Sequence, residues 1–492
     1  MLLVAMAGVF FVWMPGEFLD GDPHAWREEA RAIVRGELHV SEDMARKFGE
    51  PGQYMVRNER NGLYYSKYGI ANALLSLPPL LIQQYWYGGL PASSWEAPSL
   101  LLFNLWHVLY GVVLAALLYA LAGRYSQRAD VRAVFVAAAF FCTSLWFYQR
   151  AQSSEIYQTI FFTALFISLT AFLQRLQQGG AGCLAARDWA CLGAAWACCG
   201  ALLLIRASYG LLIPCMLALI AVFAVQGRSW QAVLDRRLVV ASLLPPALLI
   251  ALCGWINYVK FGAPWLTGYQ AWRPEMVTPT LRVVDGLWGF FFSVRFSVFL
   301  SFPLLIFALV GLRRFAGRYR LDTLVAATLF LPTFLLICSL PSWAGEWSYG
   351  PRYLLPMLPV LALPFLCFAE GLLEQSGTRR ARAWAAAALA VLLYAAYLQV
   401  QMTRVPFWTY YYARAALDVI RSPESVEYFF NRQDATIAAA LLANRDDLSR
   451  LPFYAEFKRH ASPEYVKEYD KVVLGMLERG NRYWALPADK RR

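Results

Sequence analysis

The feature that most constrains this chain is a series of apolar runs, each near 20 residues long, separated by short basic loops. A helix needs about 20 apolar residues to cross a hydrocarbon layer of about 30 Å. Such runs cover roughly 1–18, 99–122, 133–149, 156–174, 188–206, 207–226, 238–258, 296–312, 322–340, 353–370 and 383–402. Only 16% of residues are charged, where soluble domains carry about 25%. The predicted fold class is therefore all-α: a polytopic membrane protein with about eleven transmembrane helices.

The 45 Lys and Arg residues exceed the 33 Asp and Glu residues by twelve. In a soluble protein that excess would suggest a nucleic-acid partner. Here the arginines fall in alternate loops, so they read as orientation signals, and no nucleic-acid partner is expected. The basic loops hold Arg124, Arg128 and Arg132; Arg175 and Arg187; Arg228, Arg236 and Arg237; Arg313, Arg314, Arg318 and Arg320; and Arg379, Arg380 and Arg382. These should face the cytoplasm. The loops between them should face outward: 19–98, 150–155, a tight turn near Arg206, 257–295, 341–352 and the tail after Met402.

The alternation also bears on residues 68–87, an apolar run interrupted by Pro78-Pro79. Two prolines remove helix donors and bias the preceding residue away from helix. If this run crossed the bilayer, the downstream basic loops would lie outside, so it is read as a kinked interfacial helix. Val284–Phe292 resembles it on a smaller scale. The first run lacks a basic flank and a small-residue cleavage site, and is read as an anchor. The nine cysteines lie mostly within apolar runs and show no metal-ligand spacing, so neither structural disulfides nor a cysteine metal site is expected. Residues 403–492 contain no spanning run. Ser422-Pro423-Glu424 and Ser462-Pro463-Glu464 carry helix-start signals and Gly480 a stop, predicting a small helical outer domain. The remainder, 1–402, forms the membrane domain, with 19–98 as its first outer loop.

The outward loops concentrate polar residues that a plain anchor does not need. Asp20, Asp22, His24 and Trp26 follow the first run, while Tyr64, Tyr65, Ser66, Lys67 and Tyr68 precede the interfacial helix. Arg150 and Glu155 share a very short loop. Asn257, Lys260, Gly268 and Tyr269 open another, and Glu346, Tyr349 and Arg352 lie in PSWAGEWSYGPRYLLPMLP. Taken singly, each has a plain alternative. Aromatics such as Trp86 or Trp288 belong to interfacial belts, rim arginines snorkel to headgroups, and a lone carboxylate outside a span is simply solvated. Clustered at several outward mouths, ionisable groups point to a site at the membrane surface. Arginine's planar fork suits a lipid phosphate, and Arg352, Arg206 or Lys67 would stabilise one as it departs. A carboxylate such as Asp22 would take the proton of an acceptor hydroxyl.

These segments resemble the GT-C superfamily of membrane glycosyltransferases, which includes protein O-mannosyltransferases and lipid A aminoarabinose transferases. GDPHAW is similar to the acidic motif of that superfamily's first outer loop, with Asp20-Gly21-Asp22 in place of the usual Asp-Glu pair. Glu155, in RAQSSEIYQTIFF, stands where the superfamily carries a second acid. YYSKYGIANALLSLP, NYVKFGAPWLTGY and WSYGPRYLLPMLP are similar to segments of bacterial relatives. The order of features matches over roughly 1–400.

The resemblance implies an inverting single displacement that moves one sugar, hexosyl or pentosyl, from a polyprenyl-phosphate donor to a hydroxyl of a glycan, lipid or protein. The catalytic candidates are Asp22 or Asp20 as base, with Glu155 orienting. Arg352, Arg206, Lys67 and Tyr349 are candidates for the donor phosphate. His24, Tyr65, Tyr68, Lys260, Tyr269 and Glu346 are candidates for substrate contact. No cofactor is required, although a divalent cation (Mg2+ or Mn2+) between acids and phosphate is compatible with the pattern. The expected location is the plasma (inner) membrane, with the site on the periplasmic or outer face. Two other classes compete: a transporter or flippase of lipid-linked sugars, disfavoured by the missing internal repeat, and a polymerase or ligase of polyprenyl-linked glycans.

Overall fold

A chain inside lipid finds no water for its N–H and C=O groups, so it satisfies them within helices. The computed structural model follows that rule, and describes residues 1–16, 22–47, 54–90, 97–227, 235–345, 348–405 and 434–479. Among the described residues, seven helices are long and apolar enough to cross a membrane.

The N-terminal helix α1 (Leu2–Val12) stops short of Pro15 and lies against α6 (Ala97–Ala122). Between them stand the elements of the first loop: α2 (Asp22–Val34), α3 (Glu42–Lys47), β1 (Met55–Arg57), β2 (Tyr64–Ser66), α4 (Ile70–Leu75) and α5 (Leu77–Trp86). The two strands pair antiparallel, with Val56 opposite Tyr65. An all-α reading omits this hairpin, because three-residue strands are too short to show an alternating pattern. The predicted break in 68–87 lies at Ser76, and the proline pair occupies the first turn of α5, where missing donors cost nothing. At about 1.5 Å per residue, α5 spans about 15 Å, half of a hydrocarbon core. Neither α4 nor α5 is long enough to cross.

The predicted run 133–149 is two helices, α7 (Ala129–Phe141) and α8 (Leu145–Arg150). Thr143 parts them: its hydroxyl donates to the carbonyl of Ala139 at 2.5 Å and accepts from the amide of Leu145 at 3.1 Å, replacing helical partners with its own side chain. Then come α9 (Ser154–Gly179), α10 (Ala186–Ile205), a 3-10 turn at Ala207–Leu211, α11 (Leu212–Gly227) and α12 (Arg236–Phe261). Helix α9 is the hub, packing on α6, α10 and α11. Within its most apolar window 67% of residues are buried, against 11% for α12, which places α12 on the periphery.

Short helices α13 (Gly268–Trp272), α14 (Pro274–Val277), α15 (Val283–Phe292) and α16 (Val298–Ser301) lead to α17 (Leu304–Arg318) and α18 (Arg320–Ser339). The predicted run 353–370 begins instead as turns, and becomes helical as α19 (Leu358–Leu361) and α20 (Pro364–Glu374). Its opening stays irregular because Pro351 and Pro356 cannot supply helix donors. A long α21 (Arg379–Arg404) follows. In the tail, α22 (Asp434–Ala443), α23 (Tyr454–His460) and α24 (Pro463–Arg479) are described. Ser462 accepts from the amide of Tyr465 at 3.2 Å, as its helix-start motif predicts. Ser422 and Gly480 lie outside the described residues. Apolar residues of the tail, among them Ile437, Phe453 and Phe457, join the same core cluster as the long helices.

Candidate active site

Three residues between β2 and α4 organise the site: Lys67, Tyr68 and Gly69. Two glycines let this strip pass through a gap too narrow for side chains. A Cβ on Gly69 would lie 2.1 Å from the carbonyl oxygen of Leu204, at the end of α10. A Cβ on Gly268 would lie 2.1 Å from the carbonyl oxygen of Lys67. Asn72 ties the same junction by donating to the carbonyl of Ile205 at 3.3 Å. The strip is thus held between α10 and α13.

Tyr68 extends from it to Asp22, the first residue of α2, and its hydroxyl donates to Asp22 Oδ1. Arg352 approaches from the turn before α19, where Gly350 adopts φ +62°. Its Nη2 donates to Asp22 Oδ2 at 2.7 Å, and its Nε to Glu155 Oε1 at 2.5 Å. Ser153 donates to the other oxygen of Glu155. One guanidinium therefore joins two carboxylates, each in the first turn of its helix, where the helix dipole favours negative charge. The side chains are largely shielded: 12% exposed for Arg352, 17% for Asp22 and 2% for Glu155. Burial pushes the Asp22 carboxyl up, but the charges of Arg352 and Lys67 and the hydrogen bonds from Tyr68 and Arg352 hold it below the ordinary carboxylate value. Burial, and then the neighbouring Asp22 charge, push the Tyr68 phenol well above its usual value, so it stays a donor.

Beside this cluster opens a cavity of about 310 Å³. Its polar wall carries Lys67, Arg206, Tyr269 and Tyr353, and its apolar wall includes Leu203 and Leu336 from α10 and α18. Arg206, at the end of α10, stacks its guanidinium 3.7 Å from the Tyr353 ring centroid. The ammonium of Lys67 lies 3.4 Å from the centroid of Trp272, with Tyr54, Tyr68 and Tyr269 a little over 5 Å away. Cations on aromatic faces stay charged while keeping their hydrogen-bond donors available.

The predicted residues do not all converge. Asp22, Glu155, Arg352 and Tyr68 meet directly, and Lys67, Arg206, Lys260 and Tyr269 border the adjoining cavity. Tyr349 is turned elsewhere: its hydroxyl accepts from Gln399 of α21 at 2.8 Å. Tyr65 packs with Val56 and Phe261, and accepts from Asn61 at 3.1 Å. His24 is buried in α2, where desolvation and then the charge of Arg27 hold its imidazole well below its usual value. Arg150 donates from Nε to the carbonyl of Trp13 at 2.6 Å, which closes the end of α1. Asp20 and Glu346 lie outside the described residues.

Sequence reasoning passed over Trp272, Tyr353 and Glu29. Tyr353 directly follows Arg352 in a segment already singled out, so adjacency was a usable signal. Glu29 carried none, since REEAR in α2 looks like a solvated helix face. As for a divalent cation, among the described residues no three Asp, Glu, His or Cys side chains converge. The guanidinium of Arg352 already bridges Asp22 and Glu155, occupying the space between those two carboxylates. The described donor set does not fit a divalent cation.

No family model matches the chain, and no curated protein matches it. Solved structures do. The archaeal oligosaccharyltransferase AglB of Archaeoglobus fulgidus, in complex with an inhibitory peptide and a dolichol-phosphate, is 12% identical, with TM-score 0.48 over 96% of this chain and 59% of its own. ArnT from Cupriavidus metallidurans in the apo state is 16% identical, with TM-score 0.48 over 98% of this chain and 74% of its own. The chain spans less than two thirds of the oligosaccharyltransferase.

Proposed function

We propose that this protein is an integral membrane glycosyltransferase that moves a single sugar from a polyprenyl-phosphate donor to an acceptor hydroxyl at the outer face. The observation that carries the reading is the juxtaposition of Asp22, bound by Tyr68 and Arg352, with a cavity holding Lys67 and Arg206. Three cations face two carboxylates there, leaving one positive charge for one phosphodiester. The apolar wall from α10 and α18 suits the start of an isoprenoid chain.

In this reading the acceptor oxygen attacks the anomeric carbon on the face opposite the phosphate, inverting it. The sugar–phosphate bond breaks and its electron pair leaves with the phosphate, where Arg206, Lys67 and Arg352 stabilise the charge. The hydroxyl proton passes to Asp22. Because Asp22 is held below the ordinary range, Arg352 must shift from it toward the phosphate before it becomes an effective base. Glu155 orients Arg352 through that exchange.

The same reading takes the chain as eleven spans in the plasma (inner) membrane, the seven long helices joined by 1–18, 133–149, 296–312 and 353–370, which would cross as helix plus irregular chain packed inside the bundle, with basic loops in the cytoplasm and the site on the periplasmic side. Residues 1–402 form the membrane domain and 403–492 a helical outer domain. The acceptor is a glycan, lipid or protein of the cell envelope. Mass spectrometry of envelope glycans from cells with and without the gene tests the proposal: one sugar should disappear, with its polyprenyl-phosphate donor accumulating. Identical glycan profiles, together with no binding of undecaprenyl phosphate by the purified protein, would overturn it.

A further inference from the structure

Below the candidate site lies an ion pair that the proposed transfer leaves unused. Lys260, in the last turn of α12, meets Glu29 of α2 at 2.5 Å, with side chains 1% and 0% exposed. Burying two charges is costly, and such a pair is often no better for stability than apolar residues of the same volume. A second contact of Lys260 gives the pair another use. Lys260 Nζ also donates to the main-chain carbonyl of Tyr68 at 2.8 Å. That carbonyl belongs to the strip already held between α10 and α13 by the close approaches at Gly69 and Gly268, and its central residue reaches Asp22.

We propose that Glu29 and Lys260 are positioning residues: the pair fixes the main chain of Tyr68 so that its hydroxyl donates to Asp22. The proposal takes Asp22 as the base, as in the function above. Glu29 holds the ammonium in place, the ammonium holds the carbonyl, and the strip transmits that register to the phenol. The groups around Asp22 are Arg352 from the turn before α19, Glu155 through Arg352 from α9, Lys67 and Tyr68 from the strip, and Tyr269 from α13. Tyr68 donates a neutral hydrogen bond to Asp22, and its main chain is the one that Lys260 holds.

The test is an infrared titration of the full chain in lipid nanodiscs, in which the Asp22 carboxyl is identified as the band that Asp22→Asn removes. Tyr68→Phe should move the Asp22 titration upward by about 1–2 pH units, the worth of a hydrogen bond to a charged group. The double variant Glu29→Gln/Lys260→Met leaves no buried charge unpaired and should shift it the same way. The triple variant should move no further than Tyr68→Phe alone. A folded double variant with the wild-type titration overturns the proposal, as does a shift that adds to that of Tyr68→Phe. If the double variant does not fold, Glu29→Gln alone decides: an unshifted Asp22 sinks the idea. Binding of undecaprenyl phosphate to the wild-type protein, measured in parallel, reports separately on the transferase reading, because its failure leaves the titration result intact.

Discussion

Asp22 accepts from a guanidinium and a phenol at once, so its negative charge is secured at the expense of its basicity. If it is the base, Asp22→Asn keeps the shape, removes the proton acceptor, and should lower turnover by about 10²–10⁴-fold with donor binding largely kept. Asp20→Asn, two residues upstream, should cost much less. Rates measured with both variants distinguish the aspartates, and an inactive Asp20→Asn beside an active Asp22→Asn reverses the assignment. The titration has a stability counterpart. Asp22 is held below its unfolded value, so its contribution is present above about pH 3.9 and is lost as pH falls through the folded value. Melting curves of wild type and Asp22→Asn should therefore converge in acid and separate toward neutrality. Arg352→Lys gives the third residue-level expectation. A point charge cannot span Asp22 and Glu155 as the fork does, so affinity for undecaprenyl phosphate should fall by roughly 1.5–3 kcal/mol. Unchanged affinity in Arg352→Ala would leave this residue without a donor role.

At the scale of elements, the strip between β2 and α4 is the vulnerable part, because two backbones touch it where only hydrogen fits. Gly69→Ala and Gly268→Ala each place a methyl group against a main-chain carbonyl oxygen, which the strip can relieve only by moving. Overpacking of this kind costs about 1–3 kcal/mol, so both variants should melt earlier and bind lipid phosphate poorly. Gly193→Ala in α10 and Gly317→Ala in α17 meet nothing within 4 Å and should be neutral or slightly stabilising. The long helices were legible because apolar length and basic punctuation leave few alternatives. The break in 68–87 was legible because Pro78-Pro79 has a fixed mechanical meaning. The β1–β2 hairpin was not: six strand residues carry too little pattern. Nor was the partner of Lys260, because Glu28 and Glu29 look alike in sequence and only tertiary packing assigns Glu29 to Lys260. Arg352, Asp22 and Glu155 were each named from their loops, yet nothing in the sequence required one guanidinium to join both acids.

For the whole molecule, orientation is the property that the proposed function depends on most. A cysteine placed at position 128 should be protected from an impermeant maleimide added outside intact cells, and one at the exposed position 61 of the first outer loop should react with it. Reaction at 128 inverts the arrangement and removes the outward site. A further consequence lies in the contact between Asp22 and Arg352, which joins positions 330 residues apart. A ribosome adding about 5–20 residues per second needs roughly 15–65 s to cover that interval. Asp22 waits through all of it, and Glu155 through the last 197 residues, for the guanidinium that neutralises them. A chain released between residues 155 and 352, by a stop codon or a stalled message, thus carries two carboxylates without their arginine. Competence for the proposed chemistry arrives only after residue 352 has been made, so a copy that stops before it should be inert.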